Sequence, residues 1–192
     1  MGHLVILDRD GVINEDSASY VRSVTEWSPI PGSLEAIARL SSAGIRVAIA
    51  TNQSGLARGL FDRATLDAIH DHMRTQVRAA GGEITYIAFC PHRPGDGCAC
   101  RKPQPGLLQQ IGRELGMSLR GVPFVGDSAR DLEAAVAAGC DPVLVRTGKG
   151  RETERALTPM TAAVYDDLGA FTAAHLAKGS AGSASATARE AS

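Results

Sequence analysis

Asp8-Arg9-Asp10-Gly11 places two carboxylates one residue apart, directly behind the short apolar run Leu4 to Leu7. Acids in that arrangement can divide the work of phosphoryl transfer. One attacks phosphorus while also binding a divalent cation, and the other gives a proton to the leaving oxygen and later takes one from water. A solvated Asp-x-Asp-Gly turn is the plain alternative, because short Asp/Gly clusters are common loop chemistry. An EF-hand calcium loop is excluded. Counted from Asp8 it would need Asp or Asn at its fifth position and Gly at its sixth, where Val12 and Ile13 stand.

Three more polar segments are placed in the same spirit. Thr51-Asn52-Gln53-Ser54-Gly55 brings hydroxyls, amides and backbone N–H groups to a place where a phosphate could be cradled. Arg101-Lys102-Pro103 precedes a helix starting near Pro105, and a fixed cation there could neutralise charge on a transferring phosphoryl group. Gly126-Asp127-Ser128-Ala129-Arg130-Asp131 adds two further carboxylates. Mg2+ takes hard oxygen ligands and keeps several waters, so Asp8 and Asp127 with a carbonyl and water would suffice to hold it. Taken singly, each segment reads as an ordinary polar loop. Their joint order, at the ends of successive apolar runs, is what points to a site.

Cys90-Pro91-His92 and Cys98-Ala99-Cys100 offer three thiolates and one imidazole, a full tetrahedral set for Zn2+. With no open position, such a site would be structural. The intervening Pro94-Gly95-Asp96-Gly97 forms a loop that cannot bury apolar surface and needs a staple. Reduced core cysteines beside a surface histidine are the alternative. Because Arg101 and Lys102 follow Cys100 immediately, zinc would also fix the position of those cations. Cys140 stands apart and reads as a small buried residue.

Residues with these roles must be carried by regular elements. Short apolar runs at Leu4 to Leu7, Ile45 to Ala50, Ile84 to Phe89, Val122 to Val125 and Val143 to Val145 read as buried strands. Between them lie helical spacings: Leu34, Ile37 and Leu40; Leu66, Ile69, Met73 and Val77; Leu108, Ile111 and Leu115; Leu132 and Val136. Strands alternating with helices imply right-handed crossovers and a doubly wound α/β fold, a parallel sheet covered on both faces. In such a sheet the strand C-termini bind ligands. Gly44, Gly81 with Gly82, Gly116 and Gly139 stand where helices should stop.

The 192 residues are 44% hydrophobic with a net charge of −1, enough for one core and short of the positive excess that polynucleotide binding requires. One domain is expected over residues 1–178, followed by a mobile tail at 179–192, where Ser, Ala and Gly dominate and no large apolar residue remains. The first residues run into the acidic motif without a basic segment, and no 18-residue apolar stretch occurs, so neither secretion nor membrane insertion is expected. Clustered cysteines fit a reducing cytoplasm.

The ordered set Asp8-x-Asp10, Thr51, Lys102 and Gly126-Asp127 with Asp131 resembles the haloacid dehalogenase superfamily of phosphatases, over roughly Leu4 to Thr147. The resemblance implies that Asp8 is the nucleophile and Asp10 the general acid and base. Mg2+ would be held by Asp8, Asp127 and the Asp10 backbone carbonyl, with Asp131 behind them. Thr51 and Lys102 would hold the phosphoryl oxygens. The stretches Asn14 to Pro31 and Ala57 to Lys102 leave no room for a cap domain of ordinary size, so short loops would shape an open site.

Cys90-x-His92 and Cys98-x-Cys100, followed by Arg101-Lys102-Pro103, resemble the zinc-containing branch of that superfamily, the heptose bisphosphate and histidinol-phosphate phosphatases. The runs Thr51 to Gly59, Pro103-Gln104-Pro105-Gly106 and Val145 to Lys149 look more like the heptose side. That implies a small phosphorylated sugar as substrate, a part in making nucleotide-activated heptose, and Asp16, Tyr20, Asn52, Ser54 and Arg101 as substrate contacts. A monomer is compatible with the size. One departure is Ser128, where many heptose phosphatases have lysine; Arg130 or Lys149 could supply that contact.

Overall fold

Side chains alternate across the first strand, so Val5 and Leu7 face one layer while Leu4 and Ile6 face the other. Both faces are apolar, as a central parallel strand requires. The structure is a computed structural model and describes residues 3–157 and 162–187. Its strands are β1 (Leu4–Leu7), β2 (Arg46–Asn52), β3 (Tyr86–Cys90), β4 (Pro123–Gly126), β5 (Asp141–Val145) and β6 (Ala163–Tyr165). The helices are α1 (Ser33–Ser42), α2 (Arg63–Ala79), α3 (Gly106–Leu115), α4 (Ala129–Ala138), α5 (Gly150–Ala156) and α6 (Leu168–Thr187).

All five strand pairings are parallel, and the sheet order is β3-β2-β1-β4-β5-β6. The expected doubly wound α/β fold is therefore present. On one face Val5, Leu7, Val47 and Ile49 pack with Ile37, Leu40, Ile69, Met73 and Phe171 of α1, α2 and α6. On the other, Leu4, Ile6, Ala48 and Phe124 pack with Leu107, Leu108 and Ile111 of α3 and with Ala134 and Ala135 of α4. Each fully buried Leu or Ile contributes roughly 1.5–3 kcal/mol. That double-sided core fixes the height of β1, β2 and β4, and hence of the polar residues at their C-terminal ends.

The structure departs from the sequence pattern in four places. Strand β2 runs two residues beyond the apolar segment, so Thr51 and Asn52 are strand residues held by pairing with Phe89 and Cys90. Val136, expected on a buried helical face, is 64% exposed because α4 turns its alanines to the sheet. Elements β6 and α5 lack a signal, one being three residues long and the other, GRETERA, burying only Gly150 and Thr153. Helix α6 continues to Thr187, into the stretch expected to be a tail, since alanine favours helix without needing a partner. Residues 188–192 of that stretch lie outside the described residues. Among the described residues no helix is long and apolar enough to cross a membrane.

Candidate active site

The C-terminal ends of β1, β2 and β4 open on a polar cavity of about 240 Å3. Asp8 follows β1 directly, and its backbone N–H bonds Val125 O on β4. Its Oδ1 accepts from the Arg9 N–H at 2.7 Å and stands 2.8 Å from Lys102 Nζ. No donor from the described residues is recorded on Oδ2.

Lys102, only 3% exposed, donates to Ala50 O at 2.9 Å, and its Nζ forms ion pairs with Asp8 and, at 2.7 Å, with Asp131 Oδ1. Burial alone would lower its pKa, but the two carboxylates outweigh this and raise it. Asp131 Oδ2 is occupied as well, by the N–H and hydroxyl of Ser128 at the start of α4. Asp127 accepts the Lys149 N–H on Oδ2 at 2.8 Å, leaving Oδ1 without a recorded donor.

Buried oxygens of Asp8, Asp127 and Asp131 come within 4.8 Å of one another, with the ammonium of Lys102 against two of them. The site is short of positive charge. Burial, the like charges of Asp131 and Asp127, and an incomplete offset from Lys102 push the Asp8 carboxyl up to about 8. Burial and Asp131 push Asp127 to about 6, against the Lys149 N–H. An all-oxygen, anion-rich pocket formed by Asp8, Asp127 and Asp131 fits a hard divalent cation. Gly11 and Gly148 allow this closeness: a Cβ on either would lie 2.1 or 2.2 Å from Asp127 Oδ2, and both have positive φ.

Asp10 behaves differently. Its carboxylate accepts from Arg9, Asn14 and Gln53, and although burial would raise its pKa, the Arg9 charge and these donors hold it below the usual range. Gln53 also donates to Thr51 Oγ1 at 2.8 Å, which leaves the Thr51 hydroxyl hydrogen to donate elsewhere. The two aspartates of one motif thus occupy different electrostatic settings.

Asp16, Tyr20, Ser54 and Arg101 also line the cavity. Asp16 pairs with Lys149 Nζ at 2.6 Å, and Tyr20 is the one non-glycine residue with positive φ (66°) among the described residues. Asn52 lines the cavity too, but its amide clasps the Lys102 backbone in both directions, at 3.1 and 3.2 Å. It thereby supports the lysine loop from within the cavity. Ser128 makes no lysine-like contact; Arg130 and Lys149 line the same cavity and bring cations there. Arg9, Asn14 and Gln53 carried no separate sequence signal, since a cation inside an acidic motif and an amide in a turn are both ordinary on the surface.

The second cluster lies beside the first. Cys90 Sγ stands 3.7 Å from Cys98 Sγ, 3.2 Å from Cys100 Sγ and 3.5 Å from His92 Nδ1; His92 Nδ1 is 3.2 Å from Cys100 Sγ. A tetrahedral zinc with Zn–S near 2.3 Å has S···S edges of about 3.8 Å, so these four residues fit that ion. The loop is tied outward by Arg93 to Ala57 O and by Arg101 Nη1 to His92 O at 3.1 Å.

A family model described as HAD-hydrolase-like matches residues 99–171. D-glycero-beta-D-manno-heptose-1,7-bisphosphate 7-phosphatase of Pseudomonas aeruginosa is 57% identical over 173 residues, covering 90% of this chain and 97% of that one. Its namesake in Bordetella bronchiseptica is 60% identical over 150 residues, covering 78% and 84%. The chain belongs to the heptose bisphosphate phosphatase family. Among solved structures of this family, D,D-heptose 1,7-bisphosphate phosphatase from B. bronchiseptica, crystallised with magnesium and phosphate, superposes with a TM-score of 0.89 at 54% identity. That match covers 92% of this chain and 99% of that one. The corresponding protein of Burkholderia thailandensis gives a TM-score of 0.72 at 45% identity, covering 91% and 98%.

Proposed function

We propose that this chain hydrolyses the C7 phosphate of D-glycero-D-manno-heptose 1,7-bisphosphate, giving heptose 1-phosphate and inorganic phosphate by way of an aspartyl-phosphate on Asp8. The observation that carries the chemistry is the state of Asp8. One oxygen is anchored by the Arg9 N–H and Lys102 and the other is bare, which makes a positioned nucleophile. In this reading Oδ2 attacks phosphorus as the bond to the sugar oxygen breaks, and Asp10 delivers a proton to that oxygen. Asp10 then takes a proton from the water that attacks the aspartyl-phosphate.

As negative charge passes from the Asp8 carboxylate to the phosphoryl group, Lys102 can follow it, with Thr51 donating beside it. Asp131 keeps Lys102 in place. Mg2+, held by Asp8, Asp127 and the Asp10 carbonyl, would neutralise phosphoryl charge when bound. Zn2+ on Cys90, His92, Cys98 and Cys100 would hold the loop that delivers Arg101. The substrate assignment is supported by the two relatives at 57% and 60% identity. Asp16, Tyr20, Ser54 and Arg101, with Arg130 and Lys149, would meet the sugar and its second phosphate. The chain is read as a monomer, and a reducing cytoplasm would preserve the clustered thiols.

Phosphate release with Mg2+ tests the proposal, comparing heptose 1,7-bisphosphate with histidinol phosphate, fructose 1,6-bisphosphate and an aryl phosphate. Strong preference for the heptose is expected, and Asp8→Asn should be inactive with an unchanged fold. Equal weak turnover of all four would remove the substrate assignment. Turnover by Asp8→Asn would remove the nucleophile.

A further inference from the structure

Arg9 is the largest fully buried side chain described, at 1% exposure, and the proposed reaction gives it no task. A buried guanidinium carries a desolvation penalty that an apolar side chain avoids. Among the described residues its side-chain hydrogen bonds go to two residues. Nε bonds Asp10 Oδ1 at 3.1 Å, Nη2 bonds Asp10 Oδ1 at 2.9 Å and Oδ2 at 3.0 Å, and Nη1 meets His70 Nε2 at 3.5 Å. His70 is itself buried on α2 and rests against the Phe89 ring, 6.0 Å between centroids. A histidine beside a fixed guanidinium is held neutral, with Nε2 as the acceptor.

The two oxygens of Asp10 are not equivalent in this frame. Oδ1 takes Arg9 Nε, Arg9 Nη2 and Asn14 Nδ2, three donors on an oxygen with two lone pairs. Oδ2 takes Arg9 Nη2 and Gln53 Nε2, and Gln53 is the link to Thr51 in the cavity. We infer that Arg9, braced by His70, is a positioning residue that grips the Asp10 carboxyl group by both oxygens and so fixes the direction in which Asp10 presents its proton to the leaving group. The inference rests on reading Asp10 as the general acid. Arg9 touches neither substrate nor metal; it acts by fixing where the acid points.

General acid help matters most for a poor leaving group. The test is therefore kcat/KM, which reports the phosphoryl-transfer half-reaction, for monoesters ranging from nitrophenols to alkyl alcohols. Arg9→Met should lose about 100-fold on alkyl esters, the lower end for a general acid, with less than about threefold loss on the nitrophenyl ester. The dependence on leaving-group basicity becomes steeper. Arg9→Lys should restore part of the alkyl activity. His70→Leu should move in the same direction as Arg9→Met, while His70→Gln, which keeps an acceptor, should stay near wild type; this pair carries the test if Arg9→Met fails to fold. Equal losses across all esters overturn the inference. Asp10→Asn is the control: if its own dependence does not steepen, the acid assignment falls and the inference with it. If it steepens while Arg9→Met falls in parallel, the inference alone is lost.

Discussion

His70 should give the folded protein a measurable sensitivity to acid. Burial first, and the neighbouring Arg9 charge second, push its imidazole down to about 3, whereas an unfolded histidine titrates near 6.5. A base with a depressed folded-state pKa stabilises the fold above its unfolded pKa. That stabilisation is lost as pH falls from about 6.5 toward 3, because the unfolded chain binds a proton that the folded one refuses. At pH 5 the unfolded ring is protonated about thirty to one and the folded ring is still neutral, which amounts to about 2 kcal/mol lost relative to pH 7. Any folded-state value below about 4 gives the same figure, so the prediction depends on the direction of the shift more than on its size.

Other buried groups act in the opposite sense. The raised carboxyls of Asp8 and Asp127 hold protons in the folded state and favour it as pH falls. Comparison with His70→Gln cancels them. Denaturant melts of both proteins at pH 7 and pH 5 should show the wild type losing about 2 kcal/mol more than the variant, equivalent to about 4–8 °C in melting temperature for a chain of this size. Parallel pH dependence in the two proteins would refute the neutral, desolvated His70, and with it the acceptor that braces Arg9.

Three further outcomes can be checked directly. Gly148→Ala should weaken Mg2+ binding at least tenfold by calorimetry, because its Cβ would lie 2.2 Å from Asp127 Oδ2, 2.6 Å from the Gly11 Cα and in a backbone with φ of 53°. Cys98→Ser should lose zinc by elemental analysis and lower the melting temperature by more than about 5 °C; a full zinc complement with an unchanged melt would refute the staple. Asn52→Ala should lower kcat roughly tenfold with the melt lowered by about 1–2 kcal/mol, since two hydrogen bonds to the Lys102 backbone are lost.

Much of this arrangement is legible in the sequence because it rests on local signals. Apolar runs locate β1 to β5, and the residue after each run sits at the sheet edge where the parallel fold gathers its polar groups. Asp8, Asp127 and Lys102 meet there although more than ninety positions separate the first from the other two. What stays hidden depends on orientation. Nothing in Thr-Asn-Gln-Ser-Gly tells which amide faces the cavity; the pairing of β2 with β3 settles that Gln53 reaches Asp10 while Asn52 reaches Lys102. Arg9 resembles a surface residue until β1 is seen to be central, and its partner His70 lies on a helix sixty-one positions away. Polar or very short elements such as α5 and β6 leave no periodic trace because they contribute little to the core.

The same contacts decide how far the zinc loop can control catalysis. Lys102 is held from three directions: by Ala50 and Asn52 on β2, by Asp131 on α4, and by the chain emerging from Cys100. Losing the zinc removes only the last. Among the described residues Arg101 has a single side-chain anchor, the carbonyl of His92, which is itself a zinc-cluster residue. Zinc loss should therefore misplace Arg101 far more than Lys102, and Cys98→Ser enzyme, assayed below its lowered melting temperature, should show a raised KM for a bisphosphate with kcat reduced much less. A collapse of kcat at unchanged KM would mean that the lysine depends on the loop after all, and that the sheet and α4 contacts are too weak to hold a buried ammonium against two carboxylates.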